Sequence, residues 1–387
     1  MKRTTAIWAI ALFVSGGMTG CKQSGANEDL ITVDVTKSYP PKELILQDFM
    51  DVEYIPLETT DEFVTQGDVL AIGNKLMVVK NWINDGDLFL FDAKTGKGLR
   101  KINRRGQGGE EYTYINGVVL DEENNELYVN CTPTKRILVY DLFGNFKRSL
   151  KHAEGAEYLY VMDCEKDNLI CYDISGYSKD GKSRGDRSYH YIISKQDGRV
   201  VRNVPIPFDV ITTPFIQKGD GAAAASVRPI VAYHDNSVLI ETSSDTVYKY
   251  LPDEDALIPF IVRTPSADPV VFLTMGVLTD RYYFMQTVKR EFDFTTGRGF
   301  PTTDLMYDKQ EKAIFSAAVF NGDYAKQQQE SLTAQPINSE IAAYQTLSAN
   351  KLVEAYENDQ LKGQLKEIAA KLNSESNPVV MLMREKK

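Results

Sequence analysis

Histidine is scarce in this chain, with three among 387 residues, and tryptophan is scarcer still, with two. His152, His190 and His234 lie far apart, and none stands at the close spacing of a metal-ligand pair. No metal site and no cofactor are therefore expected. Cysteine is also sparse: Cys21, Cys131, Cys164 and Cys171. If Cys21 is modified, three remain, an odd number that gives no disulfide framework. Cys131 and Cys171 each sit in an apolar, strand-like run and read as small buried hydrophobes. Positive charge is in deficit too. Lys and Arg number 44 against 54 Asp and Glu, a net of −10. An acidic chain gains nothing from the field of a phosphate backbone, which argues against nucleic acid as a general partner. The N-terminal apolar run, residues 6–18, falls short of the roughly 20 residues that a membrane-spanning helix needs.

That short run has a telling context. Lys2 and Arg3 precede it, Thr19 and Gly20 follow it, and the next residue is Cys21. A cationic start, a short apolar stretch and small residues at the end make a secretory signal peptide. Met18-Thr19-Gly20-Cys21 resembles the bacterial lipobox, in which the cysteine after the cut receives diacylglycerol. Residues 1–20 are thus expected to be a signal peptide, and Cys21 a lipid anchor to the membrane. Lys22-Gln23-Ser24-Gly25-Ala26-Asn27 holds no apolar residue larger than Ala, so residues 21–30 read as a flexible tether. The folded domain is expected to span residues 31–387.

What the chain has in plenty is a repeat. An apolar or aromatic run ends in Asp or another turn residue, and a second short strand follows. Copies occur at Leu88-Phe89-Leu90-Phe91-Asp92, Ile137-Leu138-Val139-Tyr140-Asp141 and Tyr191-Ile192-Ile193-Ser194. Two more are Val247-Tyr248-Lys249-Tyr250 and Asp304-Leu305-Met306-Tyr307-Asp308. Another strand precedes each copy, with turn signals such as Gly73-Asn74 and Asn124-Asn125 between them. Short strands in units of about 40–55 residues have the period of propeller blades. Five units are plain. Val52-Glu53-Tyr54-Ile55-Pro56-Leu57 and Val379-Val380-Met381-Leu382-Met383 supply a sixth, in which the two chain ends pair and close the ring. The expected fold is all-β, a six-bladed β-propeller. One C-terminal helix, from Asn350 to Leu372, carries an apolar stripe of Val353, Tyr356, Leu361, Leu365, Ile368 and Leu372 and should pack outside or at the rim.

Four segments carry a resemblance to a known family: the lipobox, Val52-Glu53-Tyr54-Ile55-Pro56-Leu57-Glu58-Thr59, Arg104-Arg105-Gly106-Gln107-Gly108-Gly109-Glu110-Glu111-Tyr112, and Asn377-Pro378-Val379-Val380. Together they resemble the six-bladed β-propeller lipoproteins of Bacteroides and its relatives, from about residue 31 onward. That family's loop usually reads Gly-x-Gly-Pro-Gly-Glu-Tyr; here Gly109 stands for Pro and Glu110 for Gly. The resemblance implies an envelope binding or scaffold role.

Candidate ligand-binding residues come from loops. Trp82, the one Trp outside the signal peptide, lies in Asn81-Trp82-Ile83-Asn84-Asp85-Gly86, where an aromatic face beside amides suits a sugar. Arg104, Arg105, Glu111 and Tyr112 come from the glycine-rich loop, which has neither the Gly-Lys-Ser/Thr ending nor the following helix of a phosphate cradle. A between-blade connection is its simpler reading. Tyr177 lies in a Gly- and Ser-rich stretch. Asp121-Glu122-Glu123-Asn124-Asn125-Glu126 reads as a solvated hairpin turn, because it lacks the alternating ligands and central Gly of a calcium loop. No catalytic set is recognisable by spacing. The expected function is a membrane-anchored envelope lipoprotein, at the outer membrane, that binds a protein or glycan partner without catalysis. A glycoside hydrolase or lyase with paired acids around the axis is the alternative. A subunit of an envelope complex, docking through the C-terminal helix, is a third reading.

Overall fold

The computed structural model describes residues 30–175, 189–332 and 340–386. Its main sheets are six blades set around an axis. Blade 1 spans residues 68–103, blade 2 117–151 and blade 3 158–204. Blade 4 spans 230–263, blade 5 271–321, and blade 6 joins Ala343–Leu347 and Val379–Glu385 to Met50–Pro56.

The middle strands explain why blades rather than a two-layer sandwich form. In blade 2, Glu126–Cys131 is buried at every position. Such a strand has to be covered on both faces, which one sheet cannot do alone. Side chains alternate across the strand and so serve two neighbours in turn. In blade 1, Met77, Val79, Phe89 and Phe91 pack towards blade 6, while Val78, Leu88 and Leu90 pack towards blade 2. Six apolar cores fill the six gaps between adjacent blades.

The repeated Asp of the sequence has a defined task. Asp92 Oδ1 accepts from the backbone N–H of Lys94 and Thr95 at 3.1 and 2.8 Å, closing the hairpin to the outer strand. Asp141 Oδ1 does the same for Phe143 and Asn145, both at 2.8 Å, and Asp308 Oδ1 for Gln310 and Glu311. In blade 3 the Ser194 hydroxyl takes the part, accepting from Gln196 N at 3.1 Å. These are Asx-type turns, in which a short side chain stands in for a backbone carbonyl. Blade 4 uses a 3₁₀ turn, Pro252–Glu254, instead.

The ends meet as the sequence leads one to expect. Val379–Glu385 pairs antiparallel with Met50–Pro56, in register from Pro56↔Val379 to Met50↔Glu385, and with Ala343–Leu347 on its other side. Two further strands precede this latch. Ile31–Val33 adds in parallel to the outer edge of blade 4, and Pro41–Ile45 to that of blade 5. The N-terminal segment thus covers two open edges before it closes the ring, and Lys42 seals the second by reaching the buried Asp308 at 2.8 Å.

A one-turn helix α1 (Leu46–Phe49) leads into the latch strand. The C-terminal helical segment is present but divided, into α2 (Ala349–Glu357) and α3 (Gly363–Ala369). The break has a tertiary cause. Ala325 N donates to Gln360 O, and Lys362 N to Asp323 O, which draws residues 360–362 out of the helical path. Asp359 and Gly363 adopt positive φ at 52° and 51° to make the corner. Leu352, Leu361, Leu365 and Ala369 are buried in the core between blades 5 and 6. Ile368 and Leu372 of the apolar stripe pack against the same core, while Tyr356 stays exposed. No helix among the described residues is long and apolar enough to cross a membrane.

Cys131, Cys164 and Cys171 are free and buried, as small hydrophobes. His152 and His190 are buried too, and burial holds both imidazoles down at about 4. His152 Nδ1 accepts from Tyr158 N at 3.1 Å, and His190 Nε2 faces Pro229 O at 3.2 Å.

Two outcomes follow. Leu382→Ala, at a fully buried latch position facing blade 1, should cost about 2–5 kcal/mol, read as a lowered midpoint in denaturant unfolding. The second concerns pH. Both histidines take up protons more readily unfolded than folded, so their contribution is complete above about pH 6.5. It is lost as pH falls towards 4, by on the order of 3 kcal/mol for each. Melting temperature measured from pH 8 to 4 should therefore fall through that window, and a flat profile would show that neither histidine is held neutral.

Candidate functional site

The inner strand of each blade turns one side towards the axis. Between them runs a channel of about 1360 Å³. Its two ends differ. At one, short turns join first strands to second strands and contribute Asn74, Glu122, Glu165 and His234. At the other, longer connections join second strands to third strands and one blade to the next. This loop face contributes Tyr114, Asn116, Ser226, Arg228, Ser331 and Glu340 to the channel mouth.

Most charge in the channel is already paired. Lys80 meets Asp68 at 2.5 Å. Lys195 lies between Asp121 of blade 2 and Asp163 of blade 3, at 2.8 and 2.7 Å. Burial alone would raise the Asp121 carboxyl, but Lys195 and Asn124 outweigh it and hold it below its ordinary range. For Asp163 burial prevails over the lysine, and its pKa is raised. The arrangement is a structural ion-pair network, because Asp121 already accepts from Lys195 Nζ, Asn124 N and Asn124 Nδ2.

The acid-rich turn is a correction to the sequence reading. It is a hairpin turn, but its acids are not simply solvated. The Glu122 carboxylate accepts from Asn74, Lys75 and Leu76 N–H at 3.0, 2.9 and 2.7 Å, clasping blade 2 to blade 1. Gly73 makes room for it, since a Cβ there would lie 2.5 Å from the carboxylate. Glu126 is buried and takes a two-pronged contact from Arg148, both bonds at 2.7 Å, with Lys147 and Tyr128 adding further donors. Burial would raise this carboxyl, yet these donors hold it at about 2. An inter-blade clasp such as that of Glu122 leaves no trace in local sequence.

The candidate residues separate into two groups. Tyr112 is fully buried; its hydroxyl donates to Gly86 O at 2.7 Å and accepts from Arg104 N at 2.9 Å, and its ring meets Tyr140 edge-on. As placed it is a packing residue between blades 1 and 2. Glu111 folds back onto its own loop, accepting from Gly108 N at 2.8 Å. A Cβ on Gly106 would lie 1.9 Å from that carboxylate, so the loop's glycine is a steric requirement. The Arg104 side chain donates to Gly144 O at 2.8 Å. Arg105 is exposed. The glycine-rich loop is therefore chiefly the connection between two blades. Tyr177 and Cys21 lie outside the described residues.

Trp82 differs from these. It is 70% exposed on the loop face, with Ile83 at 67% and Val64 at 60% nearby in the chain's fold. Its loop is held on two sides. Trp82 N donates to Gln66 Oε1 at 2.9 Å, and Asn84 exchanges hydrogen bonds with both backbone groups of Ile115. The second tie brings Trp82's loop against the segment that carries Tyr114, 45% exposed at the channel mouth. Tyr114, Tyr160, Arg228 and Tyr344 were not legible as site residues, since only the ring's closure turns their positions towards one axis. His152, His190 and His234 remain apart, and no group of three or more His, Cys, Asp or Glu among the described residues is arranged to hold a metal.

Residues 176–185 read Gly-Tyr-Ser-Lys-Asp-Gly-Lys-Ser-Arg-Gly, which matches both Gly-x₄-Gly-Lys-Ser and Gly-x-Ser-x-Gly in form. Both motifs require a strand leading into a helix. Both matches lie outside the described residues, between the paired strands Asn168–Asp173 and His190–Ser194.

Six blades, a latch of both chain ends and an axial channel define a six-bladed β-propeller. The chain belongs to the DUF5128 family of six-bladed β-propellers, whose model matches residues 22–342. Among solved structures, a protein of Bacteroides fragilis described as exported matches with a TM-score of 0.61 at 14% identity, over 93% of this chain and 100% of that one. A DUF4221-family protein from Bacteroides vulgatus matches with a TM-score of 0.46 at 8% identity, over 87% and 97%. At these identities the likeness is one of fold. No match is found among curated proteins.

Removing the central lysine tests the ion-pair network. Lys195→Ala would leave Asp121 buried without its cation, at a cost of about 3–5 kcal/mol. The double variant Lys195→Ala/Asp121→Ala should recover much of that loss in urea unfolding. Additive losses would mean that the pair is not coupled.

Proposed function

We propose that this protein is exported, anchored through lipid on Cys21 at the outer membrane, and acts as a non-enzymatic binding or scaffold propeller for a glycan or protein. The single observation behind this reading is Trp82. A large aromatic that stays 70% exposed, on a loop pinned from both sides, costs apolar hydration without contributing to the core. Such a residue suits the flat apolar face of a sugar ring or an apolar anchor from a partner. The entry of the chain is compatible with it. Ile31, near where the described chain begins, joins the outer edge of blade 4 and not the wall of the channel.

Each half of the proposal has its own test. Labelling cells with radioactive palmitate should mark the wild-type protein and not Cys21→Ala, which should move to the soluble fraction. Equal labelling would exclude Cys21 as the anchor. Trp82→Ala should leave the melting temperature unchanged, as expected of an exposed side chain, and should reduce retention on a glycan array or by captured envelope partners at least tenfold. Unchanged retention would remove Trp82 from the binding face.

A further inference from the structure

We infer that the loop-face half of the axial channel binds the carboxylate of an acidic oligosaccharide, with Arg228 as its anchor. The inference rests on the loop face being the binding face, as proposed above, and adds the chemistry of what enters.

Arg228 stands just before the inner strand of blade 4, Ile230–Tyr233, and lines the channel. Half-buried, it is the exception among the channel's sheltered cations. Lys80 and Lys195 have carboxylate partners, but Arg228 forms no ion pair and no hydrogen bond among the described residues. Glu340, an acid at the same mouth, has a partner of its own. Burial lowers the guanidinium's pKa, yet an arginine stays charged in proteins. A half-buried cation without a counter-charge is free to take an arriving anion, and the sheltered channel makes that attraction stronger than it would be in open water. Tyr160 of blade 3 and Tyr344 of blade 6, on opposite sides of the ring, both lie within electrostatic reach of Arg228. The guanidinium is therefore near the axis, where anything in the channel must meet it.

The planar fork of arginine matches a carboxylate with two parallel hydrogen bonds. The surroundings favour a sugar as the bearer of that group. The Tyr160 hydroxyl is unpartnered among the described residues, and Thr274 and Gln286 add polar atoms to the lining. Tyrosine rings and scattered polar groups can stack on and hydrogen-bond a pyranose. The aromatics also continue outward, from Tyr160 and Tyr344 to Tyr114 at the mouth and Trp82 on the rim. The cavity exceeds the roughly 300–1,000 Å³ of sites for single small ligands, which leaves room for several sugar units.

Titration calorimetry with trigalacturonate tests this, with neutral galactotriose and triglutamate as comparison ligands. The wild-type protein should bind trigalacturonate, more weakly as salt rises, and the neutral trisaccharide far less. Arg228→Gln should lose about ten- to a hundredfold in affinity, and Arg228→Lys should lose less. Arg228→Gln should melt no lower than wild type, because it removes a charge that has no partner among the described residues. The inference is overturned if trigalacturonate fails to bind at millimolar concentration, or if Arg228→Gln binds it equally well. It is also overturned if that variant is destabilised, or if triglutamate binds as tightly as the uronate. Binding of a neutral glycan that depends on Trp82 and not on Arg228 would overturn this inference while leaving the broader binding role intact.

Discussion

The ladder between Val379–Glu385 and Met50–Pro56 is the interaction on which the rest of this molecule depends. Without it, blade 6 would have a short inner strand, and the cores towards blades 5 and 1 would open. Its side chains show why. Val380 and Leu382 belong to the core with blade 1, whereas Met381 and Met383 belong to the core with blade 5. One strand from the C-terminus thus supplies both walls of the closing blade. The strand that holds it in place comes from the opposite end of the chain. A register slip by one residue would exchange those faces and spoil two interfaces at once.

Closure also governs the polar chemistry. In the gaps on either side of blade 2 the apolar core is supplemented by groups that only adjacent blades can bring together: Glu122 on the backbone of residues 74–76, Arg148 on Lys195 O, and Lys195 on Asp121. Asp121 and Lys195 are buried, so breaking that pair leaves a charge without compensation. A ring with such stitches resists opening blade by blade. The channel that it encloses therefore has fixed walls.

Two sequence signals proved to have different physical meanings. The Asp that ends the third strand of blades 1, 2 and 5 was visible as a repeat, and its use as a turn-closing acceptor follows from its side chain alone. The glycine-rich loop was equally visible, yet its conserved-looking chemistry is turned inward: Glu111 caps Gly108, and Tyr112 is a buried wedge. Trp82 stands at the other extreme. Its sequence context fits a packed or an exposed ring equally well, and the loop's hydrogen bonds to Gln66 and Ile115 decide for exposure. The C-terminal stripe shows the same division. Its periodicity specified helix, whereas the corner at residues 358–362 came from hydrogen bonds to residues 323 and 325, distant in sequence.

By itself the sequence determined the blade. Period-two apolar runs, turn residues at their ends and a spacing near fifty residues are local properties, and local sterics and burial suffice to read them. The matching strands at the two ends also marked the ring's closure. Tertiary structure alone decided what faces the axis. Arg228, Tyr160 and Tyr344 come from three blades, are scattered over more than a hundred residues and share no motif. They meet because six twisted sheets, each unable to bury its own faces, must pack side by side around a common centre.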